Sequence, residues 1–284
     1  MTYKTIPACL CVMSLLLVSL PSVAEEIDIE NAPTPVGLLE LLPEGGINAV
    51  QLEAWVISTR SNRQGQVGTL GSYTHWSIKP VDGKLVVQMK QGWAPPRQFS
   101  TLQRFIYTAE GELDAYHEIR ESQGKPTANM IGKVEGENLV IKPNPEVGVL
   151  NISLSRERTV AMETFATHVP VAWMPLVRAY HLQSGHLGYE YATVDLTRSS
   201  EKIGRSVEDV GAEIVTIQGK EHVAHLLLEQ RSRKNRTNQQ ADGKSKTMVL
   251  SDGSTFSSVL KHGQYTFTSR RVSIEDVRKS FVID

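Results

Sequence analysis

Cysteine is nearly missing: the 284 residues contain two, Cys9 and Cys11, both within the first 24. A chain that loses that segment has no disulfide framework to lean on. Aromatic residues are scarce at 6%, and after residue 20 there are few long apolar runs, a pattern that suits sheets with one wet face and leaves the mature chain without a transmembrane segment. An excess of one charge is missing too. The 30 Lys and Arg stand against 31 Asp and Glu, a formal charge of −1 that falls to −2 once Lys4 is removed. That balance argues against nucleic acid as a partner and against general binding to anionic membranes. Catalytic signatures are also absent: there is no GxSxG elbow, Walker loop or GxGxxG after a strand, and Tyr116-His117-Glu118 lacks the second histidine of HExxH. No motif asks for a cofactor.

What is present begins with the N-terminus. Lys4 precedes a mostly apolar run over residues 7–20, then Pro21 and the small residues Ser22-Val23-Ala24. This is the layout of a signal peptide cut between Ala24 and Glu25. The run carries Ser14 and Ser19 and is shorter than the roughly 20 apolar residues that span a bilayer, so cleavage is expected rather than anchoring. The remaining 260 residues (284 − 24) are enough for ordinary burial to stabilise the chain.

The rest of the chain repeats itself. Residues 59–84 and 197–220 share an opening Thr-Arg-Ser, a Val/Ile-Gly pair and a closing Gly-Lys; Gly68 to Gly83 and Gly204 to Gly219 are both 15 positions apart, and the copies are offset by 136 (204 − 68). Gly111 and Gly253 are 142 apart (253 − 111), which places about six inserted residues in the second copy, within 231–243. Alternating runs read as strands at 49–59, 72–79, 85–91, 103–108, 113–121, 127–134 and 138–141, and again at 188–196, 207–217, 222–231, 244–251, 255–261 and 264–272. Turn pairs such as Asp82-Gly83, Glu110-Gly111, Gln218-Gly219 and Asp252-Gly253 fall between them. The expected fold is mainly β, with antiparallel meanders forming two related curved sheets or half-barrels and one short helix between them. The corresponding segments are a signal peptide at 1–24, a leader with a short helix at 25–46, a first β unit at 47–148, a connector at 149–186 and a second β unit at 187–284.

Few residues stand out as sites. In the connector, residues 169–180 read as a helix that Pro170 and Pro175 restrict to short turns. Trp173, Leu176, Val177 and Tyr180 share one face of it; that face either covers a ligand or closes the end of a sheet. Arg231, Arg233, Lys234 and Arg236 crowd four cations into six residues of an expected hairpin tip, for contact with an anionic surface or simply for solvation. His222 and His225 are three apart on an expected strand, so they point to opposite faces and do not share a metal. His181 and His186 flank a turn. Ser122, Ser199 and Ser258 each precede a lysine by three, without the partner motifs that would make SxxK meaningful. A Ser/His/Asp triad assembled from distant positions leaves no local mark.

The signal peptide, the Val/Ile-Gly followed by the hairpins Asp82-Gly83-Lys84 and Gln218-Gly219-Lys220, and the Trp173-Met174-Pro175-Leu176 helix leading through His181 to Gly185 into a new strand together resemble a broad bacterial group. These are exported, β-rich envelope proteins with a half-open barrel, similar to the lipoprotein carriers LolA and LolB and to the amino-terminal part of RseB. The resemblance implies a curved sheet that holds acyl chains, and it transfers no functional residue by motif. The expected function is that of an exported, non-enzymatic envelope protein with a lipid, another apolar or envelope-derived ligand, or another envelope protein as partner. The alternatives are a secreted hydrolase with a dispersed site and an interaction module without a pocket.

Overall fold

The computed structural model describes residues 37–62, 70–94, 98–147, 151, 153–198, 201–233, 240–262 and 265–281. Its first strands are β1 (Leu52–Asn62), β2 (Leu70–Val81), β3 (Lys84–Trp93), β4 (Phe99–Tyr107), β5 (Leu113–Ser122), β6 (Lys125–Glu135), β7 (Asn138–Pro143) and β8 (Arg158–Ala161). Helix α1 (Glu163–Thr167), β9 (Val169–Pro170) and α2 (Met174–Gln183) follow. The chain then runs through β10 (Gly188–Asp195), β11 (Glu201–Ile217), β12 (Lys220–Arg233), β13 (Gln240–Leu250), β14 (Thr255–His262), β15 (Tyr265–Val272) and α3 (Ile274–Ser280).

All fifteen strands belong to one sheet, in the order β8-β7-β6-β5-β4-β3-β2-β1-β15-β14-β13-β12-β11-β10-β9. The first meander starts in the middle of that order and runs to one edge. The chain then crosses through α1 to the other edge, and the second meander runs back until β15 pairs with β1, Trp55 opposite Val272 and Asn62 opposite Tyr265. The two halves are therefore one continuous, curved and unclosed sheet, which the period-two pattern had left undecided between one sheet and two.

Tight turns lie mostly at one end of the strands, with the β5–β6 turn, Gln123 and Gly124 at φ 53° and 72°, at the other. In the β2–β3 and β11–β12 hairpins both central residues have positive φ, Asp82 and Gly83 at 51° and 75°, Gln218 and Gly219 at 50° and 78°. These are the two-residue turns whose twist matches the strands they join. The halves also share an irregularity. The β4–β5 register shifts between Ile106 and Tyr107, the β13–β14 register between Met248 and Val249, and Tyr107 and Val249 are 142 apart (249 − 107).

Two helices cap the sheet's faces. Helix α2 is ten residues long, longer than its prolines suggested. Pro175 lies in its first turn, where a missing N–H costs no hydrogen bond, and Pro170 lies outside it in β9. The helix closes the tight-turn end of the concave face: Trp173 meets Tyr107 edge-on at 5.2 Å, and Trp173, Leu176 and Val177 join the main core with Val87, Phe105, Tyr116 and Leu227. Helix α3 begins at Ser273, whose side chain accepts from the Asp276 N–H at 3.2 Å. It covers the convex face, packing Val277 and Phe281 on Ile57 and Tyr73.

Candidate functional site

Side chains alternate along a strand, so each row across the concave face can be followed from strand to strand. Near α2 the rows are apolar: Ile78, Val87, Phe105, Tyr116 and Ile141 face one another and all but close the interior, none of them measurably exposed. One row further from α2 the character changes to Trp76, Met89, Gln103, Glu118 and Met130, and the next carries Gln91, Thr101 and Arg120. The second half follows the same gradient. Leu227 sits in the core, Glu229 lies two residues farther along β12, and Arg231 two beyond that, directly opposite Arg205 of β11, which is opposite Tyr191 of β10. The concave face is thus apolar and packed beside α2 and charged toward the other end.

Two buried carboxylates anchor the charged end. Glu118 is fully buried; it accepts from the Tyr116 hydroxyl at 2.9 Å, from Arg158 Nη2 at 2.6 Å and from Arg120 Nε. Arg120 Nη2 also donates to the Thr197 carbonyl at 2.6 Å, and Gln103 Nε2 to Asp195 at 3.4 Å, tying the two halves together across the interior. Beside these contacts lies a cavity of about 110 Å³, bordered by Gln91, Trp93, Phe99, Gln103, Arg120 and Asp195.

Glu229, the second carboxylate, is spoken for. Its Oε1 accepts two donors of Arg178 from α2, Nε at 2.9 Å and Nη2, and its Oε2 faces the Ser245 and Thr247 hydroxyls at 3.5 Å. Burial alone would raise the Glu229 carboxyl; Arg178, then Arg205 and Arg231, outweigh it and hold it below the usual range. Arg205 and Arg231 have no such partner. Among the described residues no carboxylate pairs with either. Arg205 is 4% exposed with Nε donating to Thr193 at 3.3 Å and Nη1 donating to nothing, and Arg231 Nε is likewise buried and unpaired. The charge of Arg205, then burial, pull the Arg231 guanidinium down to about 10. The Tyr189 and Tyr191 hydroxyls are also buried without partners, and burial raises both.

The residues singled out in sequence divide between core, rim and solvent. Trp173, Leu176 and Val177 are buried in the core, and Tyr180 is half-buried against it. Arg231 points into the concave face rather than out from a hairpin tip; Arg233 ends β12, while Lys234, Arg236, Ala24 and Glu25 lie outside the described residues. His222 and His225 do take opposite faces, and His225 Nδ1 lies 2.9 Å from Asp209. No described hydroxyl hydrogen-bonds His225, so that pair lacks a nucleophile. Among the described residues no three His, Cys, Asp or Glu side chains are placed to hold a metal ion, and no helix is long and apolar enough to cross a membrane. Arg178, Arg205, Tyr191 and Glu229 were missed. The available signal was Leu227-x-Glu229-x-Arg231, charges on the face of a strand that also carries a core leucine. A wider groove of about 580 Å³ opens outside the sheet between the β11–β12 turn and α3, touching Gln218, Phe256, Arg271 and Glu275. Among the described residues, no unpaired buried polar atom borders either this groove or the smaller cavity.

His181 gives a pH prediction. Its ring stacks on Tyr189 at 3.7 Å and lies 5.5 Å from His186. Burial first, and then His186, push its pKa down to about 4. A folded pKa below the unfolded one means that the unfolded chain binds the extra proton, so stability is whole above about 6.5 and falls as pH drops toward 4. Melting temperature is expected to decline across that window, and H181F, which keeps the stacking, to decline less. Equal slopes for the two proteins would refute the assignment.

No family model matches the chain, and no curated protein matches it. Among solved structures, it is similar to a β-barrel-like protein of the domain of unknown function DUF1849 from Brucella abortus, with a TM-score of 0.53 and 10% identity over 80% of this chain and 98% of that one. That likeness supports the barrel-like fold. The hypothetical lipoprotein YmcC from Escherichia coli aligns over 80% of this chain and 90% of its own, with 12% identity and a TM-score of 0.28.

Proposed function

We propose that the protein is exported and, without catalysing a reaction, binds an envelope-derived ligand at the charged end of its concave face. The observation that carries this reading is the gradient along the interior. Beside α2 the apolar rows are already filled by side chains. Toward the other end lie a small cavity and, apart from it on β10 to β12, the unpaired buried donors of Tyr191, Arg205 and Arg231, and buried donors are ordinarily matched by acceptors. A ligand seated there presents polar groups to the charged rows and leaves any apolar part near Trp93 and Phe99. Export rests on Lys4, the apolar run over 7–20 and the small residues ending at Ala24. Descent from one duplicated unit, β1 to β6 recurring as β10 to β15, belongs to the same reading and is supported by the shared bulge and turns.

One measurement addresses ligand and export together: native mass spectrometry of the chain purified from its own envelope. The expected spectrum has a polypeptide mass beginning at Glu25 and a second species carrying a bound small molecule, released on collisional activation. A clean polypeptide mass under gentle conditions, unchanged after incubation with envelope extract, overturns the ligand. An uncut N-terminus overturns export.

A further inference from the structure

We propose that Arg205 and Arg231, with the Tyr191 hydroxyl, form a binding site for a phosphate monoester group, the recognition element of the ligand inferred above. The proposal rests on that reading for where the ligand lies, and adds what the site selects.

Charge balance is the first argument. Four ionised groups meet on this part of the concave face: Arg178, Arg205, Arg231 and Glu229. Arg178 and Glu229 neutralise each other through two hydrogen bonds, leaving a net excess of two positive charges on Arg205 and Arg231, which face each other across the β11–β12 pair and which Glu229 offsets only in part, without an ion pair to either. A phosphate monoester carries about −1.5 to −2 at neutral pH. It would cancel that excess.

Donor geometry is the second argument. Tyr191, Arg205 and Arg231 lie side by side in one row across three strands, and each keeps a buried donor unused: the Tyr191 hydroxyl, Arg205 Nη1 and Arg231 Nε. Arg205 and Tyr191 are 4% and 2% exposed, and Arg231 is partly open to solvent. A ligand would therefore pass Arg231 first and meet Arg205 and Tyr191 beneath it. Guanidinium groups hold oxyanions through paired N–H donors in a fixed plane, which Lys cannot reproduce. Two like charges kept this close and this dry cost stability when nothing answers them, and the same cost returns as affinity when an anion does.

The test uses the mature chain, R205Q, R231Q, the double variant, and R104Q, which alters an arginine on the opposite face of β4. Melting temperature and calorimetric binding are measured with inorganic phosphate against chloride at equal ionic strength. Short-chain phosphatidic acid is then compared with the matching neutral diacylglycerol. Phosphate is expected to raise the wild-type melting temperature beyond chloride. R205Q and R231Q are each expected to weaken phosphate about tenfold or more, with R104Q unchanged. In low salt without phosphate, either single variant is expected to melt higher than wild type because the repulsion is gone, an effect that a purely structural arginine would not produce. Tighter binding of phosphatidic acid than of phosphate supports a lipid headgroup as the source, and equal binding supports a free phosphate. No difference between phosphate and chloride, or phosphate binding that both variants keep, overturns the site. If the neutral diacylglycerol binds as well as phosphatidic acid and ignores both arginines, ligand binding stands and this inference fails. If phosphate binds at the arginines while neither amphiphile nor envelope extract yields a ligand, the site stands and the envelope ligand fails.

Discussion

G253A is expected to lose more than about 4 kcal/mol of folding stability, a large share of the roughly 5–15 kcal/mol that a folded chain ordinarily has. Gly253 sits at φ +78° in the β13–β14 turn, and a Cβ there would lie 1.7 Å from the Pro175 carbonyl oxygen and 2.8 Å from the Ala179 nitrogen. Both atoms are backbone of α2 and cannot swing aside as a side-chain tip would. The helix would have to lift, taking Trp173 off Tyr107 and Arg178 away from Glu229. G136A separates the two contributions, because Gly136 has φ +61° with nothing within 4 Å of its added Cβ. It should cost only the left-handed strain, about 1 kcal/mol. Urea unfolding followed by tryptophan fluorescence measures both, and similar midpoints for the two variants would mean that α2 does not rest on Gly253.

That contact was invisible in the sequence, whereas the turn that carries it was legible. Asp252-Gly253 between alternating runs announced a hairpin, as did Asp82-Gly83 and Gln218-Gly219, because turn chemistry is local. The inner and outer faces of β1 were legible for the same reason: Leu52, Ala54 and Val56 alternate with Trp55 and Ile57. Strand β11 begins at Glu201, six residues before the Val207 at which the apolar alternation starts, since Glu201, Lys202 and Arg205 break that alternation. Arg205 does so because the sheet's interior is itself charged at that level. The union of the halves depends on Trp55 meeting Val272, and the charged end on Arg178 reaching Glu229 across 51 positions. Neither pairing has a periodicity of its own. The arginines of the candidate site were half seen: Arg231 drew notice as part of a cation-rich run, when its meaning lay in facing Arg205.

E229Q is expected to destabilise the protein by about 3–5 kcal/mol, the cost of removing one member of a buried ion pair. The amide keeps the shape and removes the charge that Arg178 answers, so Arg178, Arg205 and Arg231 would be left as three cations around one buried point. Acidity should reproduce the effect. The folded Glu229 pKa lies below its unfolded value, so the stability it brings is whole above about pH 4.5 and is lost as pH falls through the folded value. E229Q should therefore show a flatter acid limb in its melting profile as well as a lower plateau. Replacing both partners, as R178M with E229L, is expected to recover most of the loss, since an apolar pair of similar size avoids the desolvation that the ions pay. Recovery should stop short of complete, because Glu229 also offsets Arg205 and Arg231, and phosphate should supply the remainder. A double variant as unstable as E229Q alone would show that the carboxylate is needed for its hydrogen bonds to Ser245 and Thr247 rather than for its charge.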